Sequence, residues 1–394
     1  MDRRRLMMAS GAWAVALLGG VSGTAASQDA TPVVGVLPPV VASGLTNPRG
    51  MIWSSDGSLL VALAGAAGST AGVPEVPPPA GPFVGGPSAA VVRIDGGCPV
   101  PVASGLPSVH DGEGSISGAA DLAILHDSLY VLIAGGGEVF GNPGTTNGVY
   151  RIEDDGATTL IADTFAWLLQ NPPDKAGWTA PPEGYPTPGS PYAMVADEEA
   201  GVLWVVDALD GLILTVTPAG EIRLVGQLSE GHPVPTAIAL APGGGVDIGT
   251  LTAAPFLDGS AKVVHLDPDG TVSDVWTGLT AVTGLALAPD GTRYAVELST
   301  GNTLEPPFLT PGSGRVVHQT GPDSLEVVAS GLLFPVLGKI GPDHALYVSL
   351  PGIGADDGSG DIVRIALPGS SSRNASDTSD QEPACPPMTA TAAV

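Results

Sequence analysis

Gly44 to Leu63 reads GLTNPRGMIWSSDGSLLVAL. A Gly-Leu turn opens a short apolar strand, Asp56-Gly57 reverses the chain, and a second apolar strand follows; Asp-Gly between apolar runs is a strong hairpin signal. Degraded copies recur along the chain. The clearest are GLTAVTGLALAPDGTRYAVEL from Gly278 to Leu298 and GLLFPVLGKIGPDHALYVSL from Gly331 to Leu350. Weaker ones are SPYAMVADEEAGVLWVVDA from Ser190, VPTAIALAPGGGVDIGTL from Val234 and AADLAILHDSLYVLI from Ala119. With the first, they make six copies.

Each copy leads, through a Gly/Pro-rich insertion, to a third strand with a tight turn, as in AAVVRIDGG from Ala89, NGVYRIEDDG from Asn147 and AKVVHLDPDG from Ala261. A fourth strand then runs into the next copy, for example TTLIAD at Thr158 and IRLVGQ at Ile222. Four short strands repeated every roughly 45–70 residues mark propeller blades. The expected fold class is therefore all-β, a six-bladed β-propeller of four-stranded blades. The sixth copy ends after its third strand at Ile365, whereas an unattached strand, PVVASGL from Pro39, precedes the first copy. Val40 to Ser43 is expected to pair with the last blade and close the ring, leaving no open edge between the first and last blades.

The ring spans 39–367. Residues 1–26 carry Arg3, Arg4 and Arg5, an apolar run from Trp13 to Leu18 and a GTAAS stretch, the pattern of an export signal. The apolar run is too short to span a bilayer. A Sec and a twin-arginine signal both fit, so the chain is expected to be exported, whether extracellular, periplasmic or associated with the cell envelope, with no membrane span once the signal is removed. Residues 27–38 form an N-terminal extension, and the Ser/Asp/Pro-rich tail 368–394 is expected to be disordered. A monomer is expected.

The formal net charge is −26, and loss of residues 1–26, with Asp2 against three arginines, makes it more negative still. Such a surface repels nucleic acid, which is excluded as a partner. An acidic solvated surface is the plain reading; a surface for cations or basic partners is the sharper one. Cys98 and Cys385 are the two cysteines. In an exported chain they can form one disulfide tying the tail to blade one, with two free thiols as the alternative.

Connections within blades alternate between the two faces of the disc, and nearly all the long insertions fall on one of them, among them Gly65 to Ser88, Pro107 to Gly118 and Pro351 to Ser359. Function is disproportionately carried on such loops. Alignment of the copies puts Arg49, Ala120, Tyr192, Thr236, Thr283 and Val336 in equivalent places at the channel mouth on that face. Leu63, Ile133, Asp207, Thr250, Glu297 and Leu350 are equivalent at the ends of the second strands. The candidate ligand-binding set is Arg49, Asp121, Tyr192, Asp207, Thr236 and Glu297, for a small molecule or a protein partner. The competing reading is that each caps a blade or bonds neighbouring backbone.

His110, Asp111 and Glu113 in SVHDGEG are candidate metal ligands. No cofactor motif is evident, and a divalent cation is what these donors suit; a solvated acidic loop is the alternative. In DTFAWLLQNPPDKAGWTAPPEGYP, one helical turn is expected at Phe165 to Gln170. Trp167, Trp178 and Tyr185 either pack this loop onto the face or form an aromatic platform for a ligand. Gly-x-Ser-x-Gly, HExxH and paired-cysteine metal motifs are absent, so no catalytic residue is assigned.

The order GLTNPRGM, DGSLLVAL, AVVRID, a helix followed by NPP, SPYAMVAD, VPTAIALAP and TGLALAPDGTRYAVEL resembles the ScyD/ScyE family over about residues 38–367. The resemblance implies an exported, NHL-like six-bladed propeller with no assigned reaction, from a family named for gene clusters of the sunscreen pigment scytonemin. NHL repeats place an acid after the second strand, which Asp207 and Glu297 match, while Leu63, Ile133, Thr250 and Leu350 depart from it. Regucalcin-like gluconolactonases, also six-bladed, place a metal-binding Glu at the start of the first innermost strand, where this chain has Asn47, Pro48 and Arg49. Two functions are carried forward. One is an exported binding or scaffold protein using the loop-bearing face. The other is a metal-dependent, lactonase-like hydrolase or accessory enzyme of secondary metabolism working at the channel mouth.

Overall fold

The structure, a computed structural model, describes residues 37–76, 81–112, 114–173, 189–228, 232–368 and 385. The expected export signal, most of the N-terminal extension and most of the tail lie outside them. Six antiparallel sheets follow one another around a ring, a six-bladed β-propeller. The innermost strands are Pro48–Trp53, Ala119–Leu125, Pro191–Asp197, Pro235–Leu240, Val282–Leu287 and Val336–Ile340. Each is followed by its second and third strands moving outward.

The ring closes as its sequence implies. Val40–Leu45, slightly longer than expected, lies antiparallel to Gly360–Ile365 with Val40 opposite Val363 and Leu45 opposite Gly360. It becomes the outer strand of blade six. Cys98 and Cys385 are disulfide-bonded. The adjoining Gly97 carbonyl accepts the N–H of Ser43 on the closing strand at 3.3 Å, so the bond sits where the last blade meets the first.

A blade is buried on both faces, and its strands are correspondingly rich in Val, Leu, Ile and Ala. Six separate apolar clusters form, one at each contact between neighbouring blades. Between blades six and one, Ala42, Leu45 and Ile362 meet Met51, Val61 and Val92. Stability thus resides in a ring of interfaces around a channel.

The insertions of blade one are more ordered than loops. Its third strand, Val84–Asp95, and its outer strand, Cys98–His110, extend well past the blade as an arm, flanked by Thr70–Ala71 and Ile116–Ser117. The arm is anchored by a small core of Val76, Val109, Val139 and Phe140. The helical turn of blade two spans Thr164–Gln170, capped by the Asp163 carboxylate, which accepts the Ala166 N–H at 2.7 Å. Trp167 packs against the cluster between blades two and three; Trp178 and Tyr185 lie outside the described residues.

Candidate functional site

A register shift recurs near the start of all six innermost strands: between Pro48 and Met51, Ala119 and Asp121, Pro191 and Ala193, Pro235 and Ala237, Val282 and Gly284, and Val336 and Gly338. A bulge adds one residue to a strand and re-aims its side chain. The residues at the shift are Arg49, Ala120, Tyr192, Thr236, Thr283 and Leu337. Five of them, all but Thr236, line a cavity of about 70 Å³ at the channel mouth. Its other walls include Ser115–Gly118 from the arm of blade one, Leu251, Leu298, Gly352 and Ile353.

The sixth copy slips by one residue from the alignment. Val336 pairs with Ser349, so Leu337 and Ser349, not Val336 and Leu350, are the rim equivalents. The cause is one extra residue between the Gly-Leu turn and the Val-x-Gly of the strand, seen by comparing GLLFPVLG with GLTAVTG.

Two polar groups dominate the mouth. Arg49 donates from Nη2 to the Ile116 carbonyl at 2.6 Å and has no carboxylate partner among the described residues. Burial pulls its pKa down, with Tyr192 opposing. Burial pushes the Tyr192 phenol up, so at neutral pH it is a neutral hydroxyl, and it makes no hydrogen bond among the described residues. A cation and a hydroxyl therefore share a mostly apolar recess.

Asp121 lies deeper. The residue after each bulge is otherwise small: Gly50, Ala193, Ala237, Gly284 and Gly338 stand where blade two has Asp121. Its carboxyl is pushed up to about 6, chiefly by burial, against the opposing pull of Lys339 and of the Met194 and Leu122 N–H groups. Lys339 and Asp121 line a second, smaller cavity with Ile238, Leu285 and Leu337. Sequence reading missed Lys339. Its signal was a lysine in a column otherwise occupied by Met51, Leu122, Met194, Ile238 and Leu285, visible once the sixth copy is correctly registered.

The remaining candidates are engaged within the fold. The Thr236 hydroxyl donates to the Val282 carbonyl at 2.6 Å. Asp207 accepts the N–H groups of Ser190 at 2.7 Å and Asp210 at 3.0 Å. Its carboxyl is raised to about 7, by burial first and by the charge of Asp210 second. Glu297 accepts the Thr280 N–H at 2.7 Å and pairs with Arg315 Nε. These two acids thus hold the turn that enters their own blade. His110 ends the outer strand of blade one, and Asp111 accepts the Ser115 N–H at 3.1 Å; Glu113 lies outside the described residues. Among the described residues no group of three or more His, Cys, Asp or Glu is placed to hold a metal. No helix among them is long and apolar enough to cross a membrane.

No family model and no curated protein matches the chain. Similar solved structures do exist. A Thermus thermophilus protein described as an oxidoreductase, glucose dehydrogenase, is 19% identical, with 84% of this chain and 100% of that one covered and a TM-score of 0.51. Another glucose dehydrogenase is 14% identical over 84% and 99% of the two chains, with a TM-score of 0.51. A structural-genomics protein of unknown function from Bacteroides thetaiotaomicron is 12% identical over 83% and 75%, with a TM-score of 0.50. The shared feature is the fold. At these identities it carries no activity across.

Proposed function

We propose that the protein is an exported propeller of the ScyD/ScyE type that binds a small molecule at the channel mouth of its loop-bearing face, as a binding rather than a catalytic protein. The observation that carries this reading is the Arg49 guanidinium. It is partly buried near Tyr192, without a carboxylate partner among the described residues, against a recess walled by Leu251, Leu298, Leu337 and Ile353. A partly desolvated charge without a counter-charge is unfavourable, and an anionic ligand group offsets that cost. The Arg-rich start of the sequence supports export.

The experiment is a small-molecule screen read as thermal stabilisation, run on the wild-type chain and on Ala120→Trp, which fills the recess from blade two. Hits that stabilise the wild type and not the variant place the ligand at the mouth; hits that stabilise both equally refute the assignment.

The hydrolase reading draws on one observation, the raised carboxyl of Asp121 in the channel, since shifted carboxyls often mark reactive sites. A stoichiometric divalent metal in purified protein, together with lactone hydrolysis abolished by Asp121→Asn, would favour it over binding.

A further inference from the structure

We propose that the channel mouth takes a compact monocarboxylate, its acid group on the Arg49 guanidinium and Tyr192 hydroxyl and its short apolar body against Leu251, Leu298, Val336 and Leu337; this rests on the channel-mouth reading above. Arg49 carries five N–H donors in a planar fork that matches a carboxylate. One of its nitrogens is held by the Ile116 carbonyl at 2.6 Å, which fixes the plane of the guanidinium. Tyr192 lines the same recess, and its hydroxyl is available as a second donor.

Size and charge narrow the class. The recess is small, about 70 Å³, and suits a compact ligand. A dianion is disfavoured, because a single guanidinium faces it and the chain as a whole carries −26. A neutral polar ligand leaves the Arg49 cation without a counter-charge. The recess therefore favours one negative charge on a small apolar stem.

The test is calorimetric titration of the full chain, at low chloride, with sodium butyrate, its neutral isostere butyramide, and inorganic phosphate. Butyrate is expected to bind about tenfold more tightly than butyramide, because a charge-assisted hydrogen bond to the guanidinium is worth about that factor, and more tightly than phosphate, which has no apolar stem to place against Leu251 and Leu298. Arg49→Met is expected to lose about tenfold or more, Tyr192→Phe about three- to tenfold, and Arg49→Lys to fall between Arg49→Met and wild type.

Because Arg49→Met also loses the tie to Ile116, Tyr192→Phe and the wild-type ligand series serve as folded controls. Butyramide equalling butyrate, or phosphate exceeding it, overturns the monocarboxylate assignment. Butyrate affinity unchanged in both Arg49→Met and Tyr192→Phe overturns it as well. If none of the three probes binds while the general screen yields ligands blocked by Ala120→Trp, the carboxylate class fails and the mouth remains the binding site. If that screen is also empty, both readings fail.

Discussion

Asp121 Oδ2 accepts the backbone N–H of Met194 at 2.8 Å, joining the innermost strand of blade two to that of blade three, while Oδ1 takes the N–H of Leu122 at 2.8 Å. Other blade contacts use hydroxyls in the same way. Thr236 reaches the Val282 carbonyl, Thr283 the Pro335 carbonyl, and Ser349 the Arg49 carbonyl. Side-chain-to-backbone bonds thus tie neighbouring blades together close to the mouth. Of these four contacts, the one from blade two uses a carboxylate, and it brings a titration with it.

Stability should respond to pH through Asp121. In the unfolded chain this carboxyl ionises near 3.8, and in the fold near 6, because burial disfavours the charge. Well below pH 3.8 it is protonated in both states. Between about pH 4 and 6 the unfolded chain releases its proton first, so stability falls; above about 6 the loss levels off at on the order of 3 kcal/mol. Asp121→Asn lacks this titration. The stability of the variant relative to wild type, measured by urea denaturation, is expected to improve by about 2–3 kcal/mol from pH 4 to pH 8. A difference that is flat across that range would mean the carboxyl is not raised.

Gly50 stands directly against this carboxylate. A Cβ there would overlap the Asp121 side chain and lie 2.6 Å from its Cα. Gly50→Ala is expected to cost about 2–3 kcal/mol by overpacking the contact between blades one and two. The double variant with Asp121→Ala should recover only part of that, since the backbone conflict remains. Full recovery in thermal denaturation would show that the side chain alone sets the limit.

On the opposite face, Asp247 is buried between Arg293 Nε of blade five at 2.7 Å and His265 Nδ1 of its own blade at 2.9 Å. Asp247→Asn leaves a cation without its counter-charge and is expected to cost about 2–4 kcal/mol. Lys262 pairs with Asp274 at 2.7 Å, but both side chains are well exposed. Lys262→Ala should therefore change stability by less than about 0.5 kcal/mol. Equal effects of the two substitutions on urea midpoints would contradict this ranking.

The disulfide and the closing strand act on the same seam. Cys98 and Cys385 are 287 residues apart, so their bond restricts an unfolded loop that includes blades two to six. Reduction, or Cys98→Ser, is expected to cost about 3–5 kcal/mol. Deleting Val40–Leu45 should cost more still, because it also uncovers Ile362 and the apolar contact between blades six and one. A melting temperature unmoved by either change would refute closure at this seam.

Most of the architecture was legible because each blade is written locally. Asp-Gly turns, apolar runs and the missing sixth outer strand are short-range features, and they located the blades and the closing strand. The blade-one arm was not legible, since its outer strand continues through a Ser/Pro-containing stretch, GLPSVH, that pairs only because Val84–Gly86 lies opposite. The site was half legible. Arg49 and Tyr192 were singled out as rim residues, but so were Asp207, Thr236 and Glu297, which the fold occupies with backbone and ion-pair contacts. Lys339 was hidden by the one-residue slip of the sixth copy.

The sequence by itself determined the number of blades, their order, the place of closure and the face that carries the long insertions, because turns and strand alternation depend on residues close together in the chain. Only the tertiary structure decided which rim side chains look into the channel and which bond to a neighbouring blade. That choice depends on the repeated bulge, and on distances between strands of different blades, such as Gly50 against Asp121, that no single copy of the repeat encodes.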